Sequence, residues 1–253
     1  MTIVLLGKNF ELDLLLDSNC IPLEMLWLKP GSLMMGYSSS RKDCIEQEYD
    51  KPFEMKLSRG FWLGKFPLTQ AQWRAVMNGT PNCTNSNNLP INNVTWNDAN
   101  EFCNKLNKQY SAKLPDGYKF SLPTEAQWEY SCKASTISRN YRGDSIKDVL
   151  EIAWCLENSG GTLHDVGLKT PNAWGLYDMF GNVFEWCYDD IADYPKGKAC
   201  DWIGADHEQI KVVRGGSYLS PSNDNSFDSA YRNYVDIDTK KSWYGFRLCL
   251  RVE

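Results

Sequence analysis

The sequence predicts an α+β fold, and two observations carry that reading. Helical signals gather at three places, each opened by a threonine, while the apolar, strand-like runs are only a few residues long. Turn-rich stretches at 78–92, 158–175 and 215–244 separate them, which is not the alternation of a parallel βαβ sheet. At 253 residues, 42% hydrophobic and without a low-complexity linker, the chain reads as one domain.

Taken in order, Met1–Leu6 is apolar but lacks a basic start and a small-residue cleavage site, so it reads as a folded strand and not as a signal peptide. Met25-Leu26-Trp27-Leu28 and Phe61-Trp62-Leu63-Gly64 are short strands. Thr69-Gln70-Ala71-Gln72 and Thr124-Glu125-Ala126-Gln127 have the form of a capping box, in which threonine hydroxyl and glutamine side chain each satisfy a backbone donor of the first turn. Pro123 marks the second boundary. Between them Thr95 opens a helix with Trp96, Ala99, Phe102, Cys103 and Leu106 at helical spacing. Val212-Val213 and Phe246-Arg247-Leu248-Cys249-Leu250 are the last strand signals. The tryptophans at 27, 62, 73, 96, 128, 174 and 186 are assigned to core packing.

Composition excludes several functions. A net charge of −5 does not suit a phosphate-backbone binder, so no nucleic-acid partner is expected. No apolar run is long enough to insert into a membrane. The nine cysteines are odd in number and scattered, with no Cys-x-x-Cys, and only His164 and His207 could assist a zinc site. They read as mostly reduced or buried thiols.

Several blocks are more specific. Phe61-Trp62-Leu63-Gly64-Lys65 is followed by the Thr69 block, Leu89-Pro90-Ile91-Asn92-Asn93-Val94-Thr95-Trp96 and Ser121-Leu122-Pro123-Thr124. Then come Asn172-Ala173-Trp174-Gly175-Leu176-Tyr177-Asp178-Met179, Gly181-Asn182-Val183-Phe184-Glu185-Trp186, Arg214-Gly215-Gly216-Ser217-Tyr218 and Gly245-Phe246-Arg247-Leu248. In order and content they resemble the formylglycine-generating enzyme (sulfatase-modifying factor) family. The resemblance covers residues 25–253 and implies a C-type-lectin-like fold with few helices, short strands and long loops, with residues 1–24 as an extension packed on it.

In that family two cysteines follow the Gly-Gly-Ser-aromatic block and supply the copper-binding thiol chemistry; the matching positions here are Ser220 and Asn225. A hydroxyl cannot replace such a thiolate, so the resemblance implies a chain without the family's catalysis and with no copper. The competing expectation is an oxidoreductase of the formylglycine-generating type, or a natural-product tailoring enzyme, using another site. The same resemblance implies one structural Ca²⁺, held by side chains of Asp178 and Glu185 and carbonyls of Gly181 and Val183.

The stretch from Ser217 to Tyr244 is compositionally unusual: 17 of its 28 residues are Asn, Asp, Ser or Tyr. Tyrosine offers contact area with few rotors, and Ser and Asn offer adaptable hydrogen bonds, the mix that antibody loops favour. The stretch resembles the variable region of diversity-generating retroelement target proteins, framed by Arg214-Gly215-Gly216-Ser217, Ala230, Arg232 and Gly245-Phe246-Arg247. The expected region is 218–244, with Tyr218, Ser220, Ser222, Asn223, Asn225, Tyr231, Tyr234, Asp236, Trp243 and Tyr244 contacting a protein or other macromolecular ligand.

Overall fold

A computed structural model of the chain describes residues 6–37, 51–79, 81, 86–205 and 209–252. Cys44, Cys83, His207 and the strand expected at Met1–Leu5 lie outside them.

Among the described residues there are three sheets. The first has the order β1 (Phe10–Leu16), β2 (Asn19–Leu28), β5 (Phe61–Gly64), β12 (Cys249–Val252), β6 (Tyr118–Ser121). A second joins β3 (Gly31–Met35), β4 (Phe53–Leu57) and β8 (Lys198–Cys200). The third runs β10 (Asn233–Asp236), β9 (Ile210–Arg214), β7 (Phe184–Asp190), β11 (Tyr244–Gly245), so the end of the Ser/Asn/Tyr-rich stretch closes one side of the sheet and its middle forms the other edge. Residues 10–24, read from sequence as part of an extension packed on the domain, form β1, a turn and the start of β2. In β1, Phe10, Leu12 and Leu14 are buried while Glu11 and Asp13 face out, the period-two pattern of a strand with one wet face.

The helices begin where the threonines predict. Thr69, Thr95 and Thr124 cap α1 (Gln70–Met77), α2 (Trp96–Tyr110) and α3 (Glu125–Lys133), and each box is complete, with Gln72, Asp98 and Gln127 as the returning side chains. Such a cap contributes about 1 kcal/mol. Ser145 and Asp148 form a fourth box on α4 (Ile146–Ile152). One correction concerns Phe246, Arg247 and Leu248, which lie between β11 and β12 and not in a strand.

Trp62, Trp128 and Trp186 are fully buried and Trp73 nearly so, whereas Trp27, Trp96 and Trp174 are half-buried. Backbone crowding sets two glycines. Gly215 (φ +95°) would bring a Cβ to 2.9 Å from Met179 O, and Gly181 (φ +75°) to 2.3 Å from Trp154 O; a side chain at either would need both a left-handed backbone and space that is filled.

Candidate functional site

The residues around 218–244 divide into a buried ionic base and an exposed surface. At the base, fully buried Arg214 donates from Nε to Glu125 Oε1 (2.9 Å) and from Nη2 to Glu129 Oε2 (2.7 Å). Arg232 takes Glu125 bidentately at 2.7 Å, and Lys133 pairs with Glu129 at 2.6 Å. Burial pushes the Glu129 carboxyl up, but Lys133 and Arg214 outweigh it and hold it below its ordinary range.

From this base the stretch is held by its backbone. Arg214 Nη1 donates to the carbonyls of Ser229 and Tyr231, both at 2.9 Å. Ser159 Oγ donates to Tyr218 O (2.8 Å), Leu156 N to Ser220 O (3.0 Å) and Ser222 N to Glu157 Oε2 (2.8 Å). Arg139 bonds Asp224 O, Trp96 N donates to Ile237 O, Asn93 N to Lys241 O, and Asn92 Nδ2 to Ser242 O. All these partners lie outside 218–244 and bond main-chain groups of the stretch, so these particular anchors do not depend on the side chains it carries.

The ten expected contact residues do not share one environment. Asn223, Asn225, Tyr234 and Asp236 are exposed, and Tyr231 and Trp243 are half-buried. Tyr231 lies close enough to Asp224, Tyr234 and Tyr244 that their charges add to burial in raising its phenol. Tyr218, Ser220, Ser222 and Tyr244 require correction, because their side chains are turned inward. Tyr218 OH meets Ser242 Oγ at 3.1 Å, Ser220 Oγ accepts from Ser217 N at 3.1 Å, and Tyr244 packs on Phe184 and Trp186. Leu219, 38% exposed, is a surface position that polar composition does not single out.

At the two positions where the family carries cysteines stand a buried hydroxyl bonded to Ser217, and an exposed amide opening a short 3₁₀ turn. One thiol lies close by in the chain's course: Cys155 precedes Leu156, whose N–H bonds Ser220 O. Its Sγ donates to Glu157 Oε2 at 3.3 Å, and burial, then Glu157, pushes its pKa up to about 11. At neutral pH it is a thiol, not a nucleophilic thiolate. Cys249 is pushed up to about 12 by burial, and five of the seven described cysteines are buried.

Around the four calcium candidates, the acidic side chains are engaged mainly by protein groups. Glu185 Oε2 accepts Trp128 Nε1 (2.6 Å) and Arg247 Nε (2.7 Å), and its Oε1 accepts Arg247 Nη2 (2.7 Å). The guanidinium, which also bonds the carbonyls of Gly64, Tyr177 and Asp178, occupies the place beside Glu185 where a hard cation would compete. Asp178 Oδ2 accepts the Gly167 N–H (2.6 Å), and its buried Oδ1 has no hydrogen-bond partner. The Gly181 N–H goes to Gly215 O, and Val183 sits against Gly245. No group of three or more His, Cys, Asp or Glu suited to a metal occurs among the described residues. Thermal melts in millimolar calcium and in chelator are therefore expected to coincide; a calcium-dependent rise in Tm would contradict the assignment of Arg247 as the resident cation.

The sheets, the long loops between them and the capped helices define a C-type-lectin-like fold of the formylglycine-generating type. Residues 17–252 match the sulfatase-modifying factor enzyme 1-like domain, and the chain belongs to that family. Treponema denticola variable protein 1 superposes with a TM-score of 0.83 at 25% identity, over 96% of this chain and 99% of its own. PvdO from Pseudomonas aeruginosa shares the fold with a TM-score of 0.73 at 22% identity, over 90% and 94%. The formylglycine-generating enzyme of Streptomyces coelicolor is 30% identical over 192 residues, covering 70% of this chain and 57% of that one. The chain spans between half and three-fifths of the length of the curated formylglycine-generating enzymes it matches. Among the described residues no helix is long and apolar enough to cross a membrane.

Proposed function

We propose that this chain is a non-catalytic binding protein that recognises a macromolecular ligand through the surface of residues 218–244, and that it is the variable protein of a diversity-generating retroelement. One observation carries the reading. The backbone of the stretch is tied down from outside, by Arg139, Glu157, Asn92, Asn93 and Arg214, while Asn223, Asn225, Tyr234 and Asp236 point to solvent. A surface meant to be rewritten needs that separation, because exposed substitutions away from structural features stay within about 0.5 kcal/mol. The likeness to Treponema denticola variable protein 1 over nearly the whole chain supports the same reading.

The competing reading is an enzyme of the formylglycine-generating type, favoured by the relatives that bear that name. It lacks a thiol pair at 220 and 225, and Cys155 is held protonated. Incubation with copper and a Cys-x-Pro-x-Arg peptide is expected to leave the peptide unmodified; formylglycine in the product would overturn the binding reading. On the positive side, replacing Asn223, Asn225 and Tyr234 together by alanine is expected to leave the urea midpoint nearly unchanged while removing binding of any ligand selected against the wild-type surface. Unaltered binding would place the contact surface elsewhere. A neighbouring reverse-transcriptase gene with a near-copy of the coding segment, mismatched only at adenines, is the corresponding genomic expectation.

A further inference from the structure

Beside the exposed stretch lies a groove of about 800 Å³. Trp96 at the start of α2 and Tyr188 of β7 pack together, with ring centroids 6.1 Å apart, and form one aromatic wall; Arg251 lies over the Tyr188 ring at 4.5 Å. Lys211 crosses the floor, its Nζ 2.9 Å from Asp190 Oδ2 and 4.5 Å above the Trp96 ring. Asp236 and Asp238, both exposed, stand at the mouth.

The charge of this cavity is one-sided once its contacts are followed. Lys211 is the one cation among the described lining residues, and Asp190 already neutralises it, with both side chains under a tenth exposed. Nearby Lys240 is directed at Asp98, 3.9 Å away. At the mouth, Asp236 Oδ1 accepts the N–H of Asp238, and Asp238 Oδ1 receives the Asn97 amide at 3.4 Å; both contacts are with neutral donors. A groove with an aromatic wall, a neutralised floor and an anionic mouth is complementary to an organic cation that carries an apolar stem.

We propose that this groove docks a lysine or arginine side chain of a protein ligand, with its stem laid along the Trp96–Tyr188 wall and its charged head at Asp236 and Asp238. The inference rests on the reading of 218–244 as a binding surface and adds the chemistry of its partner. Tyr234, two residues before Asp236 on β10 and 56% exposed, supplies an aromatic anchor beside the groove.

A random-peptide phage library panned on the intact chain tests this, with the selected peptides then titrated against wild type, the Asp236→Asn/Asp238→Asn double variant and Tyr234→Ala. Asparagine keeps the turn contact to the 238 amide and removes only charge, and an unchanged melting curve confirms the fold. The expected result is enrichment of Lys- or Arg-containing peptides, with affinity for the double variant lower by about tenfold and more at low salt than at high. Peptides that bind without basic residues, or equally well to the double variant, overturn the groove's chemistry; if they still lose affinity on Tyr234→Ala, the binding surface itself survives. Peptides indifferent to all three substitutions, or no enriched peptide at all, count against both.

Discussion

Replacing Arg214 by leucine is expected to destabilise the fold by about 3–5 kcal/mol, because two buried carbonyls lose their charged donor and a buried ion network loses one member. The side chain is fully buried and does three things at once. It neutralises Glu125 and Glu129, donates to the carbonyls of Ser229 and Tyr231, and lies 5.6 Å over the Trp128 ring. Without it, Glu125 keeps Arg232 and Glu129 keeps Lys133, so neither carboxylate is left bare. The two carbonyls, however, lose a charged donor in a place water does not reach, and that is where most of the cost arises. For a domain of this length the change corresponds to a fall in Tm of roughly 10 °C. Arg214→Lys keeps the charge but not the planar fork, and recovery of only part of the stability is expected. Urea unfolding measures both variants. A loss under about 1 kcal/mol for the leucine variant would show that the network is not what holds the 218–244 backbone.

That dependence explains what could be read from the residues and what could not. The capping boxes at Thr69 and Thr124 are local chemistry, complete within four residues, and they appear where the sequence places them, while the helix start read at Thr95 proves to carry a box with Asp98. Ser145 and Asp148 have the same form, but α4 is short and carries no tryptophan, so its signal is weak without its neighbours. Strand β7 is buried along almost its whole length and therefore shows no alternation. In the candidate surface the difficulty is physical: a serine or tyrosine in a polar stretch looks the same whether its hydroxyl meets water or a neighbouring group. Ser220 and Tyr218 are inward because Ser217 and Ser242 of the same stretch meet their hydroxyls, and Ser222 is held by Glu157 at its N–H, pairings that composition alone does not specify. The groove was hidden for the same reason, since Trp96, Tyr188 and Asp236 come from three distant parts of the chain.

Asp178 gives the second large effect, and it separates an internal cation from a bound one. Burial pushes its carboxyl from 3.8 up to about 6, against the Gly167 N–H and Arg247, which pull it down, while Glu185 adds to the rise. The folded state thus holds a proton more tightly than the unfolded chain. The contribution to stability is fully present below pH 3.8, is lost as pH rises through 6, and amounts to a penalty of about 2–3 kcal/mol at pH 8. Asp178→Asn removes the charge, retains an acceptor for Gly167 N–H, and suits the left-handed backbone at this residue (φ +50°). The variant is therefore expected to exceed wild type by about 2 kcal/mol at pH 8 and to match it near pH 4, read by urea unfolding at both values. If a calcium ion sat there, the carboxylate would be wanted: the asparagine variant would be the weaker protein at pH 8 whenever calcium is present, and chelator would erase the difference. Arg247 already supplies the positive charge between Asp178 O and Glu185, so an uncharged residue at 178 completes the site better than an ionised one.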